Sequence, residues 1–141
     1  MSASDSVVAA LERWHRFVES RDPELLDDLL AEDAVFHSPV VFTPQKGRAI
    51  TKLYLVGAMN VFGGSGGSDF HYTKELRTDP HAVLEFEVTV DGKLVNGVDI
   101  LSFDAEGRIR EFRVMVRPLQ AIQLLHRKMA EMLAKLQAGT G

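Results

Sequence analysis

The chain has 141 residues with 16 basic and 20 acidic side chains, a formal net charge of −4, and no cysteine. Disulfides, thiol nucleophiles, zinc ribbons and iron–sulfur clusters are thereby excluded, and an acidic domain is a poor partner for nucleic acid. Residues 1–105 hold 9 basic and 17 acidic side chains, a balance of −8, while residues 106–141 hold 7 and 3, a balance of +4.

That basic end is too sparse to restore nucleic-acid binding. No apolar stretch approaches the roughly 18 residues of a membrane span. The first twenty residues mix charges into an amphipathic pattern without a signal-peptide core. The expectation is one cytoplasmic domain with no membrane partner.

Ser4 or Ser6 can cap a first helix, in which Val7, Leu11, Trp14 and Val18 recur at helical spacing beside Ala10 and Phe17. Ser20-Arg21-Asp22-Pro23 breaks it, and Asp22 suits the N-cap of a second helix with Pro23 in its first position. Leu25, Leu26, Leu29 and Leu30 form that helix's apolar stripe.

Residues 34–39 are β-leaning and end at Pro39, so Phe36 and Ser38 share one face while His37 takes the other. Residues 43–47 read as a loop. A third helix follows from Arg48 to about Phe62, with Ile50, Leu53, Tyr54, Ala58 and Val61 on one face and Gly57 weakening it. The Gly/Ser run 63–68 reads as a flexible loop; no strand leads into it and no Gly-Lys-Ser/Thr leads out, so it is no phosphate cradle.

Phe70, Tyr72 and Leu76 share a parity before the turn at Asp79-Pro80-His81. Leu84, Phe86, Val88 and Val90 then alternate with polar residues into a clear strand. Asp91-Gly92 predicts a two-residue hairpin pairing Val90 with Lys93. That register sets Val88 against Val95, Phe86 against Gly97 and Leu84 against Asp99. Gly97 opposite Phe86 leaves space for a sheet bend or a ligand.

Residues 95–103 are almost wholly apolar around Asp99, and Asp104-Ala105-Glu106-Gly107 turns the chain. Beyond it Phe112, Val114 and Val116 share a face, opposite Glu111, Arg113, Met115 and Arg117. Pro118 opens a last helix striped with Leu119, Ile122, Leu125, Met129, Met132, Leu133 and Leu136, a core or oligomer contact. Helices, a four-strand meander and a helix make an α+β fold with helices on one face of an antiparallel sheet.

A carboxylate within an apolar strand is costly unless paired or protonated, so Asp99 is the first candidate for function, and burial is expected to raise its pKa. A structural acid bonded to a hydroxyl or backbone group is the alternative. The five histidines (15, 37, 71, 81 and 126) show no metal-ligand spacing, and no Gly-x-Ser-x-Gly elbow occurs. No metal and no cofactor is expected. Ser38 and His37 are secondary catalytic candidates. The expected pocket comprises Trp14, Val18, Phe36, Tyr54, Phe86, Val88, Gly97, Phe112, Val114 and Val116.

The order of elements, with Asp22-Pro23-Glu24, Ala31-Glu32-Asp33-Ala34, Gly47-Arg48 and the run from Val98 to Ile109, resembles the nuclear transport factor 2-like superfamily in its SnoaL-like and ketosteroid-isomerase-like branch. The resemblance implies a cystatin-like cone, in which a curved sheet wrapped by helices encloses an apolar pocket, and commonly a dimer through the sheet's outer face. Asp99 falls where ketosteroid isomerases place the neutral acid of their oxyanion hole. The tyrosine partner of that acid falls on Trp14, an indole donor only, and the general-base aspartate falls on Ser38. Steroid double-bond isomerisation at an enzymic rate is therefore not expected. Two classes of function stay open. One is an isomerase, cyclase or hydrolase using Asp99 as general acid/base on a small apolar molecule; the other is a non-catalytic ligand-binding or dimeric assembly module.

Overall fold

The computed structural model describes the backbone of residues 3–63 and 69–140 and the side chains of residues 6–63 and 69–136. Most of the Gly/Ser run, residues 64–68, lies outside the described residues. The elements in order are α1 (Ala3–Ser20), α2 (Leu25–Leu29), β1 (Leu30–His37), β2 (Gln45–Lys46), α3 (Arg48–Gly63), β3 (His71–Thr78), β4 (His81–Val90), β5 (Lys93–Phe103), β6 (Ile109–Arg117) and α4 (Leu119–Thr140).

Helix α1 already includes Ser4 and Ser6, so neither position is its N-cap. Arg21 ends α1 in the left-handed region at φ 62, with its N–H donating to Phe17 O at 2.7 Å. Its guanidinium then donates to Val18 O and, at 2.8 Å, to Met59 O, tying the end of α1 to the last turns of α3. Asp22 Oδ1 accepts the N–H of Glu24 at 3.0 Å. Pro23 and Glu24 form a turn rather than the first helical residues, and α2 begins at Leu25.

Strand β1 starts at Leu30, earlier than its apolar alternation suggests, and β2 forms within the expected loop by pairing with β1. The sheet has six strands in the order β2-β1-β6-β5-β4-β3. β3 to β6 make the expected antiparallel meander, but β1 lies parallel to β6, with Phe36 beside Phe112. The antiparallel expectation is thus corrected to a mixed sheet. Parallel neighbours need a long crossover, and here the whole chain from β2 to β5 supplies it. Side-chain alternation carries no information on strand direction, so this pairing was invisible in the sequence.

The β4–β5 register is the expected one, with Val90↔Lys93, Val88↔Val95, Phe86↔Gly97 and Leu84↔Asp99. Asp91 and Gly92 both take positive φ at the hairpin tip, as a tight hairpin turn requires. Leu76 departs from its expected face. A bulge between Tyr72 and Lys74 shifts the parity, leaving Leu76 58% exposed.

Two apolar clusters fill the concave side. One joins Val7, Ala10, Trp14 and Phe17 of α1 to Leu26, Leu29, Phe36, Leu84, Leu101 and Phe112. The other sets Ala121, Leu124 and Leu125 of α4 over Phe86, Val88, Val90 and Val95. Gly57, unfavourable for α3 alone, is where α4 comes close. A Cβ there would stand 3.3 Å from Met129 Cε. Leu119 at the start of α4 is 68% exposed instead of core-facing. No helix among the described residues is long and apolar enough to cross a membrane.

Candidate functional site

Asp99 projects from β5 onto the concave face and is 5% exposed. Its Oδ2 accepts the Tyr72 hydroxyl at 2.7 Å. The Tyr72 oxygen in turn accepts the Trp14 indole N–H at 3.0 Å. One chain of donors therefore runs from α1 through β3 to β5. Aromatic edges fix the Tyr72 ring, which stands nearly perpendicular to Phe70 (5.2 Å), His15 (5.5 Å) and Phe86 (6.4 Å). His15 is itself held by Glu75 at 2.6 Å.

Burial pushes the Asp99 carboxyl up to about 7, and the Tyr72 hydrogen bond pulls it only partly back. Tyr72 is raised well above its ordinary value, first by burial and then by the charge and acceptance of Asp99. The phenol accordingly keeps its proton and remains a donor. Among the described residues no fully buried side-chain polar atom lacks a partner, and Tyr72 is the only side chain bonding to Asp99. The second oxygen, Oδ1, must therefore reach open space.

That space is a cavity of about 230 Å³. Trp14, Phe36, Tyr54, Phe112, Val114 and Val116 line it together with Asp99 and Ser38. Val18, Phe86, Val88 and Gly97 do not. Phe86 and Val88 are wholly buried beneath α4, and Val18 packs against the α1 cluster. The space over Gly97 is occupied by Phe86 itself: a Cβ on Gly97 would lie 2.5 Å from Phe86 Cζ and 2.7 Å from Met115 O. His37 does not line the cavity either. It takes the opposite face, with Nε2 3.7 Å from Glu111 Oε1 and 3.5 Å from the Arg113 guanidinium.

Ser38 stands just past β1, where its Oγ accepts the N–H groups of Val40 (3.0 Å) and Val41 (3.3 Å). Tyr72 was missed as a partner of Asp99. Its parity with Phe70 was legible, but its reach across β4 was not. Also missed was the far wall, built by Leu125, His126, Met129, Ala130 and Leu133 of α4. Chemically, a carboxyl poised near neutrality can donate to a ligand oxygen when protonated and accept from a ligand when ionised. The apolar wall strengthens either interaction.

Helices packed on a curved, unclosed mixed sheet, with a C-terminal helix, define the nuclear transport factor 2-like, cystatin-like class. Within that class the chain belongs to the SnoaL-like domain family, whose model matches residues 11–112, in the ketosteroid-isomerase-like branch. A steroid Δ-isomerase of Nocardioides simplex is 29% identical over 119 residues, covering 82% of this chain and 93% of that protein. The structure of a steroid Δ-isomerase from Pseudomonas aeruginosa superposes with a TM-score of 0.87 at 36% identity, covering 94% of this chain and 95% of that one. An uncharacterised protein with a cystatin-like fold from Silicibacter pomeroyi gives 0.79 at 28% identity, covering 86% and 83%.

Proposed function

We propose that this protein is an acid–base enzyme of the isomerase or cyclase kind, acting on a compact apolar carbonyl compound through Asp99. The observation that carries the reading is the divided carboxyl of Asp99. One oxygen is fixed by Tyr72, and the other is left for a ligand in an apolar cavity. Burial holds that carboxyl near neutrality, so both of its protonation states are populated at working pH. Relatives named as steroid Δ-isomerases support proton transfer beside a carbonyl as the class of chemistry.

The cavity's size argues for a smaller substrate than theirs. About 230 Å³ lies below the roughly 300–1,000 Å³ of ordinary ligand pockets, which favours one or two rings. Ser38, which falls on the family's general-base position, presents a hydroxyl already accepting two backbone N–H groups. That substitution is what favours the second reading, a pocket that binds without turnover.

The test is binding of 2-naphthol, a compact two-ring phenol whose oxygen mimics an enol, followed by its fluorescence. Wild-type protein is expected to bind it and Asp99→Leu to lose it. Equal binding by both variants contradicts the reading.

The proposed assembly is a homodimer through the outer sheet face. There Val98, Ile100 and Met115 lie among Glu85, Glu111 and Arg113, a mixture of apolar surface and both charge signs that suits a two-fold, self-complementary contact.

A further inference from the structure

Moving a double bond or closing a ring beside a carbonyl takes two groups, one serving the oxygen and one serving a carbon. In the proposed acid–base reading, on which this inference rests, Asp99 serves the oxygen. Besides Asp99, the cavity wall offers polar side-chain atoms from Ser38, Tyr54 and His126, and from the indole of Trp14. The indole N–H is committed to Tyr72. Ser38 is turned onto the N–H groups of Val40 and Val41, and the Tyr54 ring is stacked on Phe36 at 5.0 Å. Neither an aliphatic hydroxyl nor a phenol is a competent base for a carbon-bound proton unaided.

His126 differs from all of these. It sits on α4 within the same wall as Leu125, Met129 and Ala130. It makes no hydrogen bond or ion pair with any described residue. As a residue it is both exposed and part of the cavity wall. A neutral imidazole has one ring nitrogen that accepts a proton and one N–H that donates.

We infer that His126 is a second catalytic residue, the base that takes a proton from the carbon beside the substrate carbonyl and returns it further along the chain. The matching substrate class is a compact β,γ-unsaturated ketone. In the first step the C–H bond breaks, its proton goes to the imidazole and its electron pair enters the dienolate, whose oxygen is held by the protonated Asp99. In the second step the imidazolium N–H delivers that proton to the γ carbon, giving the conjugated ketone. Atoms and charge balance with no co-reactant. The base thus comes from α4 rather than from the end of β1.

The experiment follows conversion of a bicyclic β,γ-octalone to its conjugated isomer by ultraviolet absorbance, using the full chain. Wild-type protein is expected to convert it faster than buffer. His126→Gln is expected to lower kcat by about 10²–10⁴-fold, the usual worth of a positioned base. Its 2-naphthol fluorescence response reports whether the variant is still folded around the pocket. An unchanged kcat in His126→Gln overturns the inference, as does wild-type protein that binds 2-naphthol through Asp99 yet converts no octalone above buffer. Loss of Asp99-dependent naphthol binding by the wild type would instead overturn the acid–base reading itself.

Discussion

Tyr72 and Asp99 stand on strands separated by β4, yet their side chains meet at 2.7 Å across it. The backbone row through Tyr72 runs to Phe86 and Gly97, while Asp99 lies opposite Leu84. The contact is therefore diagonal. It spans two inter-strand spacings of roughly 4.8 Å each, which the long phenol covers.

Tyr72→Phe removes the hydroxyl that both accepts from Trp14 and donates to Asp99. The Trp14 N–H, in a side chain 1% exposed, is left buried without its acceptor. A stability loss of about 1–3 kcal/mol is expected by chemical denaturation. The Asp99 carboxyl loses the one hydrogen bond that lowers it, so its titration midpoint rises. A midpoint that falls, or stays, would show that Tyr72 does not stabilise the carboxylate.

Burial lifts the Asp99 carboxyl from 3.8 to about 7. Between those values the folded chain holds more protons than the unfolded one. The contribution of Asp99 to stability is therefore complete below about pH 4 and is lost as pH rises through about 7. At 1.36 kcal/mol per unit the loss is at most about 4 kcal/mol. Asp99→Asn abolishes this slope and is expected to be neutral or stabilising at pH 8, as for a group kept for function. A fall beyond about 2 kcal/mol at pH 8 would make Asp99 a structural acid instead.

Asp99 was legible because a single carboxyl among apolar strand residues has few explanations, and the hairpin at Asp91-Gly92 fixed which face it occupies. Trp14, Phe36 and Val114 followed from helical and strand periodicity. The failures have physical causes too. Phe86 and Gly97 were expected to frame a void, but a glycine opposite a ring invites that ring to fill the gap. The α4 wall was missed because a methionine-rich stripe looks the same whether it meets another helix or an open cavity. The parallel β1–β6 pair joins residues far apart in the chain, with no local signal of direction.

A 3-keto-Δ5 steroid is expected to remain at background turnover. The cavity is small for four fused rings. Ultraviolet detection of the conjugated product well above the buffer rate would contradict this.

On the outer face Leu94 and Met115 are 58% and 52% exposed, beside half-buried Val98 and Ile100. Covering them against a second copy removes apolar surface and pairs Glu85 or Glu111 with Arg113 across a two-fold axis. Sedimentation is expected to give a dimer at micromolar concentration. A monomer there would contradict the proposed assembly.

The central claim is that Asp99 is a near-neutral carboxyl with one oxygen offered to a ligand. A carbon-13 NMR titration of its carboxyl, with and without 2-naphthol, tests it most directly. The account predicts a midpoint of about 7 in the free protein, moved upward by naphthol, because a donor to the ligand oxygen must hold its proton. A free midpoint in the ordinary carboxylate range near 4, or one that saturating naphthol leaves in place, would contradict it.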